Sequence, residues 1–109
     1  MNYTYEGLWK DNQKNGKGTF EWTNGAVYVG GYVDDKKHGQ GTFYYADGRV
    51  YVGTFKGGKL HGKGEMYKDG KVTKGTWVDN VLDEETKVVE EADAPEKPEK
   101  TEKTEKADK

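Results

Sequence analysis

The chain contains no cysteine among its 109 residues, which excludes disulfides and thiolate metal sites. It has only two prolines, Pro95 and Pro98. No apolar stretch approaches the ~18 residues needed to span a bilayer. The opening run Met1-Asn2-Tyr3-Thr4-Tyr5-Glu6 lacks a basic region followed by an apolar one, which argues against a secretory signal. A soluble cytoplasmic protein is the default expectation. No basic run or zinc-ligand spacing points to nucleic acid, and the net charge is only −2.

What is present is unevenly distributed. All 16 glycines and all the aromatic residues lie within residues 1–77. Residues 1–82 carry a net charge of +3 and residues 83–109 a net charge of −5. The composition predicts a folded domain over 1–82 and a charged, Glu/Lys-rich tail over 83–109. From Glu96 the tail repeats acid-Lys-x, with no apolar surface to offset its ordering entropy. Glu99/Lys103, Glu102/Lys106 and Glu105/Lys109 have the favourable i,i+4 orientation, whereas Pro95 and Pro98 oppose a helix. Disorder with transient helix is expected there.

The folded part repeats every 23 residues. Tyr5, Tyr28 and Tyr51 are each followed four residues later by an aromatic: Trp9, Tyr32 and Phe55. Gly-x-Gly returns as Gly16/Gly18, Gly39/Gly41 and Gly62/Gly64, and Asn24-Gly25, Asp47-Gly48 and Asp69-Gly70 close the units. Fixed self-similarity of this length marks a repeat architecture. Seven strands are predicted: Tyr5 to Trp9, Val27 to Val33, Val50 to Lys56 and Thr73 to Trp77, alternating with Lys17 to Trp22, Gln40 to Tyr45 and Lys63 to Tyr67. The Asn/Asp-Gly dipeptides are the strongest tight-hairpin signals. The other connections read as longer polar ones. All are too short for a crossover helix, so the fold class is all-β: an elongated, twisted, single-layer antiparallel meander.

The facing of side chains has two solutions. A strict two-residue turn at Asn24-Gly25 sets Glu21 opposite Tyr28 and separates Phe20 and Trp22 from the tyrosines. A longer or bulged turn gathers Phe20, Trp22, Tyr28 and Tyr32 on one side. A single sheet gains most by gathering its rings, which favours the second. Repeat three is one residue short, since Gly64 and Gly70 are six apart where Gly18/Gly25 and Gly41/Gly48 are seven. A one-residue change reverses facing unless a turn or bulge absorbs it, here expected near Lys68.

Tyr-x-Gly-x-aromatic, then His-Gly-x-Gly, then Asp-Gly resembles the MORN repeat (membrane occupation and recognition nexus). Tyr51-Val52-Gly53-Thr54-Phe55, Leu60-His61-Gly62-Lys63-Gly64 and Asp69-Gly70 carry the resemblance, as do Tyr28 to Gly48. The first copy has Asn15 where His38 and His61 stand, and the fourth has Thr73 for the leading tyrosine. About three and a half repeats over 5–79 are covered. The resemblance implies stacked β-hairpins, a scaffolding or targeting role without catalysis, and in some members contact with phosphoinositides.

The residues themselves suggest where a partner sits. Rings outnumber Ile, Leu and Val in 1–82, and a single sheet has no second layer to cover them. The expected partner-binding face is therefore Tyr5, Trp9, Trp22, Tyr28, Tyr32, Tyr45, Tyr51, Phe55 and Trp77, with core packing as the competing role for each ring. Gly7, Gly30, Gly53 and Gly75 give room either for a neighbouring ring or for a partner's backbone. Lys14, Lys36, Lys37, Lys59 and Lys63 cluster near the polar connections and suggest an alternative, an anionic membrane surface. Asp11, Asp34 and Asp35 lie beside them and oppose it. Gly16-Lys17-Gly18 lacks the glycine fingerprint and Gly-Lys-Ser/Thr ending of a phosphate loop, so no nucleotide cofactor is expected. His38 and His61 are expected in turns, not on a metal. A protein or peptide partner is expected, with self-association through open sheet edges, Trp77's strand above all, as a further route.

Overall fold

The computed structural model describes residues 3–98. Nine strands form one antiparallel sheet: β1 (Tyr3–Lys10), β2 (Gln13–Trp22), β3 (Val27–Val33), β4 (Lys36–Tyr44), β5 (Val50–Lys56), β6 (Lys59–Lys68), β7 (Lys71–Val78), β8 (Val81–Leu82) and β9 (Val88–Glu91). Each of β1 to β7 pairs with the next, and β9 also pairs with β7. One 3₁₀ turn, Glu84–Thr86, is the only helical element among the described residues, and it packs on β7. The molecule measures 45 × 29 × 24 Å.

The turn chemistry reverses the expectation for the polar connections, and at Asn24-Gly25 it takes the longer turn that gathering the rings favours. The connections that read as long are two-residue turns: Asp11-Asn12, Asp34-Asp35, Gly57-Gly58 and Asp79-Asn80 all have positive φ. That is the type I′ requirement, which Asp and Asn tolerate because their short side chains bond locally. At Asn24-Gly25 and Asp47-Gly48 the loop is instead three residues long. Glu21 faces Val27, Trp22 N–H bonds the Ala26 carbonyl at 3.0 Å, and only Gly25 takes positive φ. Asp69-Gly70 alone among these dipeptides is a two-residue turn, with Lys68 opposite Lys71. The missing residue of repeat three is thus absorbed in the turn after Lys68, and facing is preserved.

The three-residue loops select the second facing solution. Phe20 lies opposite Tyr28 and Phe43 opposite Tyr51, so the rings gather on one face. They bury one another in a zigzag of edge-on contacts: Trp9–Tyr5 5.0 Å, Tyr5–Tyr32 5.5 Å, Tyr32–Tyr28 5.3 Å, Tyr28–Phe55 5.1 Å, Phe55–Tyr51 5.3 Å and Tyr51–Trp77 5.2 Å. Such pairs add ~0.5–1.5 kcal/mol each beyond area burial. Tyr28 and Tyr51 are fully buried, and Leu60 and Phe20 complete the core. A thin sheet thus builds a core from rings lying flat along it.

The sheet does not stop at residue 82. Val88–Glu91 pairs with β7, Val72 facing Glu90 and Thr73 facing Val89. Thr86 Oγ1 accepts the Thr76 N–H at 2.9 Å, and Asp83 N–H bonds the Thr76 carbonyl at 2.8 Å. The β-branched pair Val88-Val89 suits a strand, a signal outweighed in the sequence by the acidic residues around it. Ordered structure therefore includes residues assigned from composition to the tail. The acid-Lys-x run beyond residue 98 lies outside the described residues.

Candidate binding trench

Seven glycines stand in register across seven strands: Gly7, Gly18, Gly30, Gly41, Gly53, Gly64 and Gly75. On the ring face the space above them is filled. A Cβ built on Gly41 would lie 2.5 Å from Tyr28 Oη, and one on Gly53 would lie 2.6 Å from Tyr51 Oη. The tyrosines lie along the strands over the glycines, and their hydroxyls donate to the carbonyls of Leu8 (3.0 Å), Gly31 (2.9 Å) and Thr54 (3.2 Å). At Gly75, where the fourth copy has no leading tyrosine, Leu82 and Thr86 take that place. Of the two roles considered for these glycines, room for a ring is the one realised on this face.

The opposite face is open along the same row. Two adjoining cavities, of about 650 and 440 Å³, share Gln40 and Val52 and run from β2 to β7. Glycines form the floor. Thr19, Val29, Thr42, Val52, Glu65 and Lys74 stand along one side, and Lys17, Gln40, Lys63 and Thr76 along the other. Across six interstrand steps of ~4.8 Å the glycine row is about 29 Å long. Its polar groups are partly committed: Gln40 Nε2 donates to Thr54 Oγ1 at 3.0 Å, Tyr67 donates to Glu65 Oε1 at 2.7 Å, and Lys74 pairs with Glu90 at 3.0 Å. The hydrogen bond to Glu65 raises the Tyr67 pKa, and that to Glu90 raises the Lys74 pKa. Of the described residues, no group of three or more His, Asp or Glu side chains is placed to hold a metal ion.

The rings expected to meet a partner divide sharply. Tyr28, Tyr32, Tyr51, Phe55 and Trp77 are buried, at 4% exposure or less. Burial also pushes the phenols of Tyr28 and Tyr32 far above their ordinary value, and that of Tyr51 up to about 12. Tyr5, Trp22 and Tyr45 are half-buried, and Trp9 is 55% exposed.

The five lysines also separate, so they form no single basic edge. Lys14 Nζ lies 5.3–5.8 Å from the centres of four rings, among them Phe20 and Tyr32, and pairs with Asp35 at 3.1 Å. Lys37 Nζ lies 5.4–5.6 Å from the centres of Trp22, Tyr28 and Phe43. Burial, then the Lys14 charge, lowers the Lys37 pKa. Lys36 and Lys59 sit beside the tight turns, and Lys63 lines the trench. Lys14 and Lys37 occupy the repeat position of Leu60, and their stems cover rings as its side chain does.

His61 has a turn role. Its Nδ1 accepts the Asp79 N–H at 3.4 Å, and Asn15 Oδ1 accepts the Asp34 N–H at 3.2 Å from the equivalent place. Asparagine therefore substitutes for histidine as an acceptor. The trench residues Thr19, Val29, Thr42 and Val52 were not singled out from sequence. The spacing of the seven glycines, eleven or twelve apart throughout, was the signal that could have found the trench between them.

The family model for the MORN repeat matches residues 5–27, 28–48 and 51–72. The chain belongs to the MORN-repeat family. Among curated proteins no sequence matches it. MORN repeats occur in protein-binding and membrane-binding modules, and a non-catalytic binding role fits this chain broadly. No helix of the described residues is long and apolar enough to cross a membrane.

Proposed function

We propose that this MORN-repeat chain is a non-catalytic, protein-binding scaffold or targeting module that docks an extended partner segment in the glycine-floored trench. The observation carrying this reading is the open trench on the face opposite the rings, running from β2 to β7 between two rows of side chains. Between those rows the backbone is uncovered on this face, so a partner's main chain can approach it. From β2 to β7 the trench spans five interstrand steps, about 24 Å, and accommodates roughly seven extended residues at ~3.3 Å each. Val29 and Val52 offer apolar contact, the threonines and Gln40 offer hydrogen bonds, and Lys17 and Lys63 suit an acidic residue of the partner. The dispersal of the lysines over both faces favours a protein partner over an anionic membrane, which rewards a continuous basic surface.

The test is selection of displayed peptides on the full chain, followed by binding measurements on two variants. Val52→Arg fills the trench and weakens the selected peptides at least about tenfold, the loss expected when an interface centre is blocked. Trp22→Ser, on the ring face, leaves them bound. The reverse pattern moves the docking site to the rings. Binding only to anionic vesicles, abolished by salt, replaces the reading with the membrane alternative.

A further inference from the structure

Strand β1 has a pairing partner on one side only among the described residues, and that free edge carries three large exposed side chains. Leu8 is 62%, Trp9 55% and Tyr3 40% exposed. Trp9 is the exception in its own series. Its equivalents Tyr32, Phe55 and Trp77 are 4%, 2% and 4% exposed. Each of those packs edge-on against the tyrosine of the preceding repeat, at 5.5, 5.1 and 5.2 Å. Among the described rings Trp9 packs on its own Tyr5 alone. In each of those other pairs the tyrosine reaches over the glycine of an intervening strand, so what Trp9 lacks is cover from beyond the β1 edge.

The other edge is different. β7 is covered by β8 and β9, which are short and separated by the exposed acidic turn Asp83, Glu84 and Glu85. Broken, charged edges resist strand addition. Trp77's strand, the edge singled out from sequence, is an interior strand.

We infer that β1 is a homodimer interface: two copies of this chain pair β1 to β1 antiparallel about a two-fold axis through Gly7. This register sets Gly7 beside the partner's Gly7 and continues the glycine row from one chain into the other. It sets Trp9 opposite the partner's Tyr5, a cross-strand aromatic pair that covers surface exposed in the single chain. It sets Thr4 opposite Lys10 and Glu6 opposite Leu8, so no like charges meet. Only odd-numbered residues then share the ring face across the junction, so both ring faces and both trenches become continuous. An edge pairing with itself closes after two copies, whereas pairing of unlike edges would propagate into a filament.

The experiment uses the full chain. Sedimentation equilibrium gives a species of twice the 12.3 kDa chain mass, and Trp9→Lys, at an exposed position, weakens association at least about tenfold while the circular dichroism of the sheet persists. The register is read by cysteine pairs, since the chain has none of its own. Thr4→Cys with Lys10→Cys places thiols on opposed residues ~4.5–5.5 Å apart at Cα, within disulfide range. Inside one chain they are six positions, ~20 Å, apart along a strand. Oxidation yields a covalent dimer from this pair and little from the off-register pair Thr4→Cys with Leu8→Cys. A monomer at all concentrations overturns the inference, as does a dimer that neither Trp9→Lys weakens nor the Thr4/Lys10 pair links.

Discussion

Asp35, in the β3–β4 turn, and Lys14, in the neighbouring strand β2, hold each other in both directions. Asp35 Oδ1 accepts the Lys14 backbone N–H at 2.7 Å, and Asp35 N–H donates to the Lys14 carbonyl at 3.0 Å. Asn80 does the same for Leu60, with both bonds at 2.9 Å. These are the second residues of the type I′ turns, each clasping the preceding repeat. The middle clasp is incomplete. Gly58 N–H reaches the Lys37 carbonyl at 3.0 Å, but glycine has no side chain to take the Lys37 N–H.

Gly58→Asp should complete that clasp and leave the sheet more stable than Gly58→Ala, which bears positive-φ strain without the hydrogen bond. Gly58 has φ +87°, in the region Asp35 and Asn80 already occupy, and a Cβ there meets nothing within 4 Å. One added hydrogen bond contributes about 0.5–1.5 kcal/mol, read as a urea midpoint above that of Gly58→Ala. An equal or lower midpoint would count against the clasp. The Lys14 backbone bond, followed by its side-chain bond, depresses the Asp35 pKa. Its contribution is therefore present above the ordinary aspartate range and is lost as pH falls through the lowered value.

Gly30→Ala and Gly48→Ala should separate packing from turn geometry. At Gly30 a Cβ would lie 2.6 Å from Gly41 Cα and 2.7 Å from the Gln40 carbonyl, so backbone must move, at a cost of about 1–3 kcal/mol or more. At Gly48, where nothing lies within 4 Å but φ is +101°, only conformational strain remains, about 1 kcal/mol. Chemical denaturation of both variants measures the difference. Equal losses would mean that the tyrosine-covered glycine row is looser than its geometry implies.

Alkaline unfolding should begin near the ordinary tyrosine pKa of 10.0 and deepen toward about 12. The buried phenols keep their protons in the folded state at pH values where the unfolded chain has lost them. The unfolded state then binds fewer protons, so stability falls as pH rises. Below the ordinary value this contribution is fully present. Phenolate absorbance followed alongside circular dichroism should show Tyr28, Tyr32 and Tyr51 ionising together with loss of the sheet. Ionisation of all the tyrosines before any loss of structure would contradict their burial.

Truncation after Leu82 should destabilise the domain. It removes β9, the partner of Lys71–Lys74, and uncovers Val72, now 1% exposed. A lower melting temperature than the full chain, with more aggregation through the opened β7 edge, is expected. An unchanged melting temperature would return the boundary to residue 82.

Much of this was legible in the sequence because period and composition act locally. The 23-residue repeat, the strand type and the antiparallel order follow from Tyr5, Tyr28, Tyr51 and the spacing of turn residues. Asp11-Asn12 read as part of a longer connection and Asn24-Gly25 was open between two turns, because both pairs suit positive φ and the choice depends on which register buries the rings. Burial of Tyr32 and Phe55 was hidden for a related reason. A single layer leaves rings exposed only if they stand upright, and here each lies over a glycine or against the next tyrosine. The trench appears only once facing is known, since Thr42 and Val52 carry no chemical signature of their own.

The most direct test of the docking claim is amide chemical-shift mapping of the isotope-labelled chain with a selected peptide. The account predicts shifts concentrated at Thr19, Val29, Thr42, Val52 and Lys63. Shifts confined to Trp22, Phe43 and Tyr45, with the glycine-floored trench silent, would contradict it.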